Sequence, residues 1–325
     1  MASATLAPHV RDERPDIGGE DANGSRPSTL TTTVPREYVH RTAISEVFLT
    51  DWRPGTSDSW VISAQWPRAH TFYGPRDGLH DPILLIETMR QAGILLSHVA
   101  HQVPLDHPII WQRVRYDLLP EALRITGRPA EIELHVTDHD MVFRGKRLAT
   151  ARQEFRILCD GAELATAALD YSCHSPAVYR RLRGEYCDLD LANSRKLPVP
   201  QAVEPRLVAR EHDRDVVLSP TDHADRWQLR VDTSHPVLFD HPVDHAPGML
   251  MIEAARQAAQ AVTPDDTLAT SLECTFARYA ELDAPSWVQA RTSERADDGS
   301  RQSTVTVEQH DKPVVSARIT SVPTP

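Results

Sequence analysis

Lysine is nearly absent from this 325-residue chain, where Lys146, Lys196 and Lys312 stand against 32 arginines. The bias reads as genome composition. It does not mark a nucleic-acid protein, because the formal net charge is −11 and such proteins normally carry a basic surplus. Cysteine is scarce too. Cys159, Cys173, Cys187 and Cys274 form no Cys-x-x-Cys pair and lack a suitably spaced histidine cluster, so no metal site is expected. No apolar run approaches the ~20 residues that span a bilayer. The N-terminal "MASATLAPHVRDERPDIGGE" lacks the apolar segment of a signal peptide. The expectation is a cytoplasmic protein with reduced thiols, with neither membrane nor nucleic acid as a partner. Hydrophobic residues make up 40% of the chain, enough to bury a core.

What the chain does have is an internal repeat. Residues 82–92 read "PILLIETMRQA" and residues 248–258 read "GMLMIEAARQA". Leu84, Ile86, Glu87, Arg90, Gln91 and Ala92 match Leu250, Ile252, Glu253, Arg256, Gln257 and Ala258, each 166 residues later. An aromatic precedes each segment at the same offset, Tyr73 and Phe239. Both segments predict an apolar helix flanked by strands. Ile132, Leu134 and Val136 alternate with Glu131, Glu133 and His135, the period-2 pattern of a half-buried strand. Each half reads as two strands, one helix and about four strands. A helix apolar nearly all round must be enclosed, and an antiparallel sheet wrapped around it is the hotdog arrangement. The fold class is therefore α+β, a double hotdog of two tandem repeats. Expected boundaries are a loosely packed tail at 1–37, a first repeat at 38–173, a linker at 174–205 with room for a short helix, and a second repeat at 206–325.

Burying a carboxylate and a guanidinium in a core helix is costly unless they are paired. Positions three and four apart share a helix face, so Glu253, Arg256 and Gln257 form one polar stripe, and so do Glu87, Arg90 and Gln91. One reading is a buried ion pair that fixes helix packing. The other is chemistry. Before the second helix, "FDHPVDHAPG" sets Asp240, His241, Asp244 and His245 beside Pro247-Gly248. A helix N-terminus offers free N–H groups and a positive dipole end, suited to a developing oxyanion. The second half is favoured as the catalytic one, with residues of both halves able to meet between the repeats.

"PGMLMIEAARQA" resembles the central-helix motif of hotdog acyl-carrier-protein dehydratases, although His241 lies closer to the Pro-Gly than in that pattern. The two-repeat layout resembles the A-factor biosynthesis (AfsA) family more closely, on "DHPVDHAPGMLMIEAARQAA" and "FYGPRDGLHDPILLIETMRQAG", over about residues 40–322. That resemblance implies an acyltransferase. It would join a 3-oxoacyl group, delivered on an acyl carrier protein, to dihydroxyacetone phosphate. Intramolecular condensation would then give a phosphorylated butenolide, a precursor of signalling molecules that control antibiotic production. No cofactor is implied, and a monomer or a homodimer is compatible. Glu253 would be the general base, which calls for a raised pKa. Arg256 opposes that rise and is assigned to the substrate phosphate. Glu87 and Arg90 build a second site or a structural copy. His245 and His241 are candidate acid–base groups. Gln257, Gln91, Asp244 and Gly248 are candidate substrate contacts. Arg180, Arg181 and Arg183 of "YRRLRG" either dock the acidic carrier protein or form an ordinary solvated turn. The rival readings are a dehydratase or thioesterase on the same fold, and a non-catalytic acyl- or lactone-binding protein.

Overall fold

The computed structural model describes residues 32–56, 59–263 and 266–324. The expected loose tail lies outside the described residues as far as residue 31. After it, Arg36–Val39 form a 3-10 turn that buries Val39.

Each half contains the six strands and one long helix that the pattern predicts. The first half runs β1 (Leu49–Pro54), β2 (Ser59–Trp66), α1 (Ile83–Val99), β3 (Ile109–Leu118), β4 (Ala130–Arg144), β5 (Arg147–Cys159) and β6 (Ala162–Cys173). The linker carries two short helices, α2 (Pro176–Arg183) and α3 (Leu189–Ser194). The second half runs β7 (Leu218–Ser219), β8 (Arg226–Leu229), α4 (Gly248–Ala261), β9 (Thr267–Phe276), β10 (Trp287–Thr292), β11 (Arg301–Gln309) and β12 (Lys312–Pro323). The strands form one antiparallel sheet in the order β1-β2-β4-β5-β6-β3-β9-β12-β11-β10-β8-β7. Read from the middle outward, both sides follow the same sequence of equivalent strands. The pseudo-twofold axis passes between β3 and β9, whose register runs from Arg113 opposite Thr275 to Asp117 opposite Ser271.

Period-2 patterning gives the sheet one buried face, and the helices fill it. In β4, Ala130, Ile132, Leu134 and Val136 are buried while their neighbours are half-exposed. In α1 every residue from Ile83 to His98 is buried except Arg90. In α4 every residue from Met249 to Gln260 is buried except Arg256. Contact with the sheet is close. A Cβ on Gly93 would lie 3.0 Å from Leu169 Cδ2 and 3.1 Å from Gln153 Oε1, so any larger residue would push these side chains aside at this depth. Tyr73 and Phe239, the aromatics ahead of each helix, are buried.

Candidate active site

The two polar stripes are built alike. Glu87 is fully buried. Arg90 reaches it with Nε and Nη2, both at 2.9 Å, Gln91 donates to it at 2.8 Å, and Arg41 pairs with it at 2.7 Å. Glu253 is likewise fully buried, with Arg256 at 3.0 and 2.6 Å, Gln257 at 2.5 Å and Arg210 at 2.8 Å. The glutamines bridge outward. Gln91 Nε2 donates to the Glu46 carbonyl and its Oε1 accepts from Phe48 N–H. Gln257 does the same with the Asp215 carbonyl and Val217 N–H.

This geometry argues against Glu253 as the general base. Burial alone would push its carboxyl up, but Arg210 and Arg256 outweigh burial and hold it at about 2. Glu87 is held at about 2 by Arg41 and Arg90 in the same way. A carboxylate so deeply ionised is a poor base. Two guanidinium groups on one carboxylate instead leave each cluster with a net positive charge. Gln91 and Gln257 are fully buried and spend their bonds on this scaffold, so their expected substrate contacts are replaced by structural ones. Arg41 and Arg210 were missed. The signal was present as the recurring Val39-x-Arg41 and Val208-x-Arg210, spaced by 169 residues where the helices are spaced by 166.

Two cavities lie between the halves, and each takes its helix entrance from one half and the arginines of a buried cluster from the other. One, of about 440 Å³, joins the α4 entrance (His241, His245, Gly248) to Arg41, Arg90 and His40 of the first half. The other, of about 620 Å³, joins the α1 entrance (His80, Asp81) to Arg210 and Arg256 of the second half. The expected partners are therefore exchanged: the entrance rich in His and Asp faces Arg90, not Arg256.

The two entrances are chemically unequal. At the helix spacing of 166 residues, His245 corresponds to Leu79 and Gly248 to Pro82. Asp244 lies 2.5 Å from His245 Nδ1. Asp244 also accepts from Tyr179 at 2.7 Å and from Arg183 at 3.2 Å. Burial raises its pKa, but His245, Tyr179 and Arg183 outweigh it and hold the carboxylate at about 2. An anchored carboxylate on Nδ1 fixes the His245 tautomer and leaves Nε2 to act. The α4 N-terminus, with Pro247 as its cap residue, has no side-chain cap. At α1 the Asp81 carboxylate accepts from Ile83 N–H at 2.8 Å and would repel a second anion there. Asp244, expected as a substrate contact, is buried and bonded to His245 and is not among the residues lining the cavity. Asp240 binds Thr42 and Ala43 N–H across the halves, and the half-exposed His241 leans on it at 3.3 Å.

His40 is a further residue the sequence reading missed. His98 Nδ1 lies 2.7 Å from the Val103 carbonyl, which can only accept, so His98 carries that proton. Burial lowers the His98 pKa and keeps the ring neutral, leaving Nε2 as an acceptor. His40 Nε2, 2.9 Å away, must then be the donor, and His40 Nδ1 keeps its lone pair. Burial, then His98, Arg90 and His241, lower the His40 pKa to about 3. His40 occupies left-handed backbone at φ 50°, and its counterpart Ala209 does so at φ 56°.

Comparison with known proteins fits this architecture. Residues 23–175 and 191–325 both match the A-factor biosynthesis hotdog domain, AfsA. The chain belongs to the AfsA family. A 2-oxo-3-(phosphooxy)propyl 3-oxoalkanoate synthase of Streptomyces virginiae is 46% identical over 89% of this chain and 98% of that one. A synthase of the same name from Streptomyces coelicolor is 39% identical over 83% of this chain and 85% of the other. Among solved structures, one described as an oleoyl thioesterase from Lactobacillus plantarum superposes with a TM-score of 0.52 at 14% identity, covering 82% of this chain and 97% of that one. That likeness shows the double-hotdog fold and nothing finer. Within the described residues of this AfsA member, no group of His, Cys, Asp and Glu could hold a metal ion, and no helix is long and apolar enough to cross a membrane.

Proposed function

We propose that this protein transfers a 3-oxoacyl group from a thioester to the hydroxyl of dihydroxyacetone phosphate, in the cavity at the α4 entrance. The observation that carries the reading is the meeting, in one cavity, of the Asp244–His245 dyad and the uncapped α4 N-terminus with the Arg41–Glu87–Arg90 cluster. The name of the Streptomyces relatives describes the ester such a transfer forms.

His245 Nε2 takes the hydroxyl proton as the alcohol oxygen attacks the thioester carbonyl. The carbonyl oxygen becomes an oxyanion, and N–H groups of the first turn of α4 stabilise it. The C–S bond then breaks, and His245 returns its proton to the departing thiolate. The ester and a free thiol leave, and the enzyme is unchanged. Arg90 Nη1 has no protein partner among the described residues and faces the phosphate, while Glu87 keeps both arginines in place. The ester carries a methylene between two carbonyl groups. Attack of that carbon on the triose ketone, with loss of water, gives the phosphorylated butenolide. Glu253 and Arg256 form the structural copy, beside a cavity where Leu79 stands at the position of His245 and, among the described residues, no Asp–His pair like Asp244–His245 holds the neighbouring His80.

Mass spectrometry of the purified protein with a 3-oxoacyl thioester and dihydroxyacetone phosphate tests this. The acyl–triose phosphate ester, or that mass less one water, is expected from wild type, with His245→Gln and Asp244→Asn depressed while folded. Free acid as the product would instead favour a thioesterase, and binding without turnover an acyl-binding protein.

A further inference from the structure

The short helix α2 is the part of the linker that touches the dyad. Tyr179 and Arg183, four residues apart, share its inner face. Tyr179 donates to Asp244 at 2.7 and 2.9 Å, and Arg183 reaches Asp244 at 3.2 Å. Arg183 also pairs with Glu281 at 2.5 and 2.7 Å and lies over the Tyr279 ring, 4.1 Å from its centre. Arg183 is therefore an internal bolt, and its expected exposure in a basic turn is corrected.

The opposite face of α2 is open. Val178 is 42% exposed and Leu182 60% exposed, one turn apart. Arg181 lies beside them and Arg180 at the far edge of the solvent-facing arc, both exposed and without an ion partner among the described residues. Two acids of the following segment are already engaged: Glu185 pairs with Arg195, and Asp188 caps α3. A cationic, apolar patch is out of character for a chain of net charge −11. The inner face of the same helix reaches the cavity wall. Tyr279 packs edge-on against Tyr179 and His245 and lines the α4-entrance cavity, as does its neighbour, the exposed Arg278.

We propose that the outer face of α2, formed by Val178, Arg180, Arg181 and Leu182, is the docking surface for an acidic acyl carrier protein, with Arg278 receiving the phosphodiester of its prosthetic arm. This rests on the acyl-transfer reading and names the donor of that same site. Acidic side chains of the carrier complement the two arginines, and an apolar side chain seats between Val178 and Leu182. The arm then passes Arg278 and Tyr279 and brings the thioester to His245 and the α4 N-terminus.

The double variant Arg180→Glu/Arg181→Glu tests the surface in two ways. Fluorescence anisotropy with a labelled 3-oxoacyl carrier protein measures docking without turnover, and the variant is expected to bind at least about tenfold more weakly, with a shallower salt dependence. In turnover, KM for the carrier-borne substrate is expected to rise about tenfold, while kcat/KM for the same acyl group on N-acetylcysteamine stays within about twofold of wild type. Equal carrier binding by variant and wild type, or no carrier binding by wild type, overturns the proposal. So does an equal loss with both thioesters. If the carrier docks through α2 but neither thioester yields ester, the docking surface stands and the acyl-transfer reading falls.

Discussion

Replacing Arg90 with alanine separates the two cavities most sharply. Its guanidinium uses Nε and Nη2 on Glu87 and Val39, Nη1 has no protein partner among the described residues, and the residue lines the α4-entrance cavity. A hydrogen bond to a charged group contributes about 1.5–3 kcal/mol, so loss of one phosphate contact should lower kcat/KM for dihydroxyacetone phosphate by about 10- to 150-fold, at 1.4 kcal/mol per tenfold. Arg41 remains on Glu87, so the carboxylate is not abandoned. Arg256→Ala is the matched control. It removes the same side chain from the same stripe but in the cavity at the α1 entrance, where Leu79 stands in place of His245. The two variants should lose similar stability in thermal melts. Steady-state kinetics at saturating thioester should show the loss for Arg90→Ala, with Arg256→Ala within about threefold of wild type. A large loss for Arg256→Ala with Arg90→Ala nearly normal would refute the exchanged pairing.

Three further outcomes follow from the same contacts. Glu87→Gln and Glu253→Gln each leave two guanidinium groups, one of them partly exposed, without their anion and should each destabilise the chain by about 3 kcal/mol in denaturant titrations, but only Glu87→Gln should also weaken triose binding. Acid stability should track the carboxylates: Glu87, Glu253 and Asp244 sit at about 2 when folded, below their unfolded values near ~4. Protonation therefore favours unfolding. The stability they confer is complete above about pH 5 and is lost as pH falls toward about 2, so a melting temperature unchanged between about pH 6 and pH 3 would contradict the pairing. His40 should show a protonated Nε2 and an unprotonated Nδ1 in nitrogen-15 spectra at neutral pH, and His40→Ala should fold, because Ala209 holds the same backbone conformation; the opposite tautomer would break the His98 relay.

The helices and strands were legible because burial imposes a period. Six identical residues in an eleven-residue stretch revealed the duplication, and an all-round apolar helix left little choice but an enclosing sheet. The site was less legible. Glu253 and Arg256 read as a self-contained pair because helical spacing reports only neighbours on one helix. Arg210, which completes the cluster, lies 43 residues earlier, just past the 3-10 turn Pro205–Val208. The exchange of partners between halves was harder still. It arises from the pseudo-twofold axis between β3 and β9, a long-range pairing that leaves no periodic trace in the sequence. The basic turn at α2 was misjudged for a related reason, since only the packing shows that Arg183 turns inward while Arg180 and Arg181 do not.

The central claim is about place: the triose phosphate binds where the α4 entrance meets the arginines of the first half. A crystal structure with dihydroxyacetone phosphate bound would test it directly. The account predicts phosphate density beside Arg90 with the triose hydroxyl directed at His245 Nε2. Phosphate held against Arg256 and Arg210, with the α4-entrance cavity empty, would contradict it.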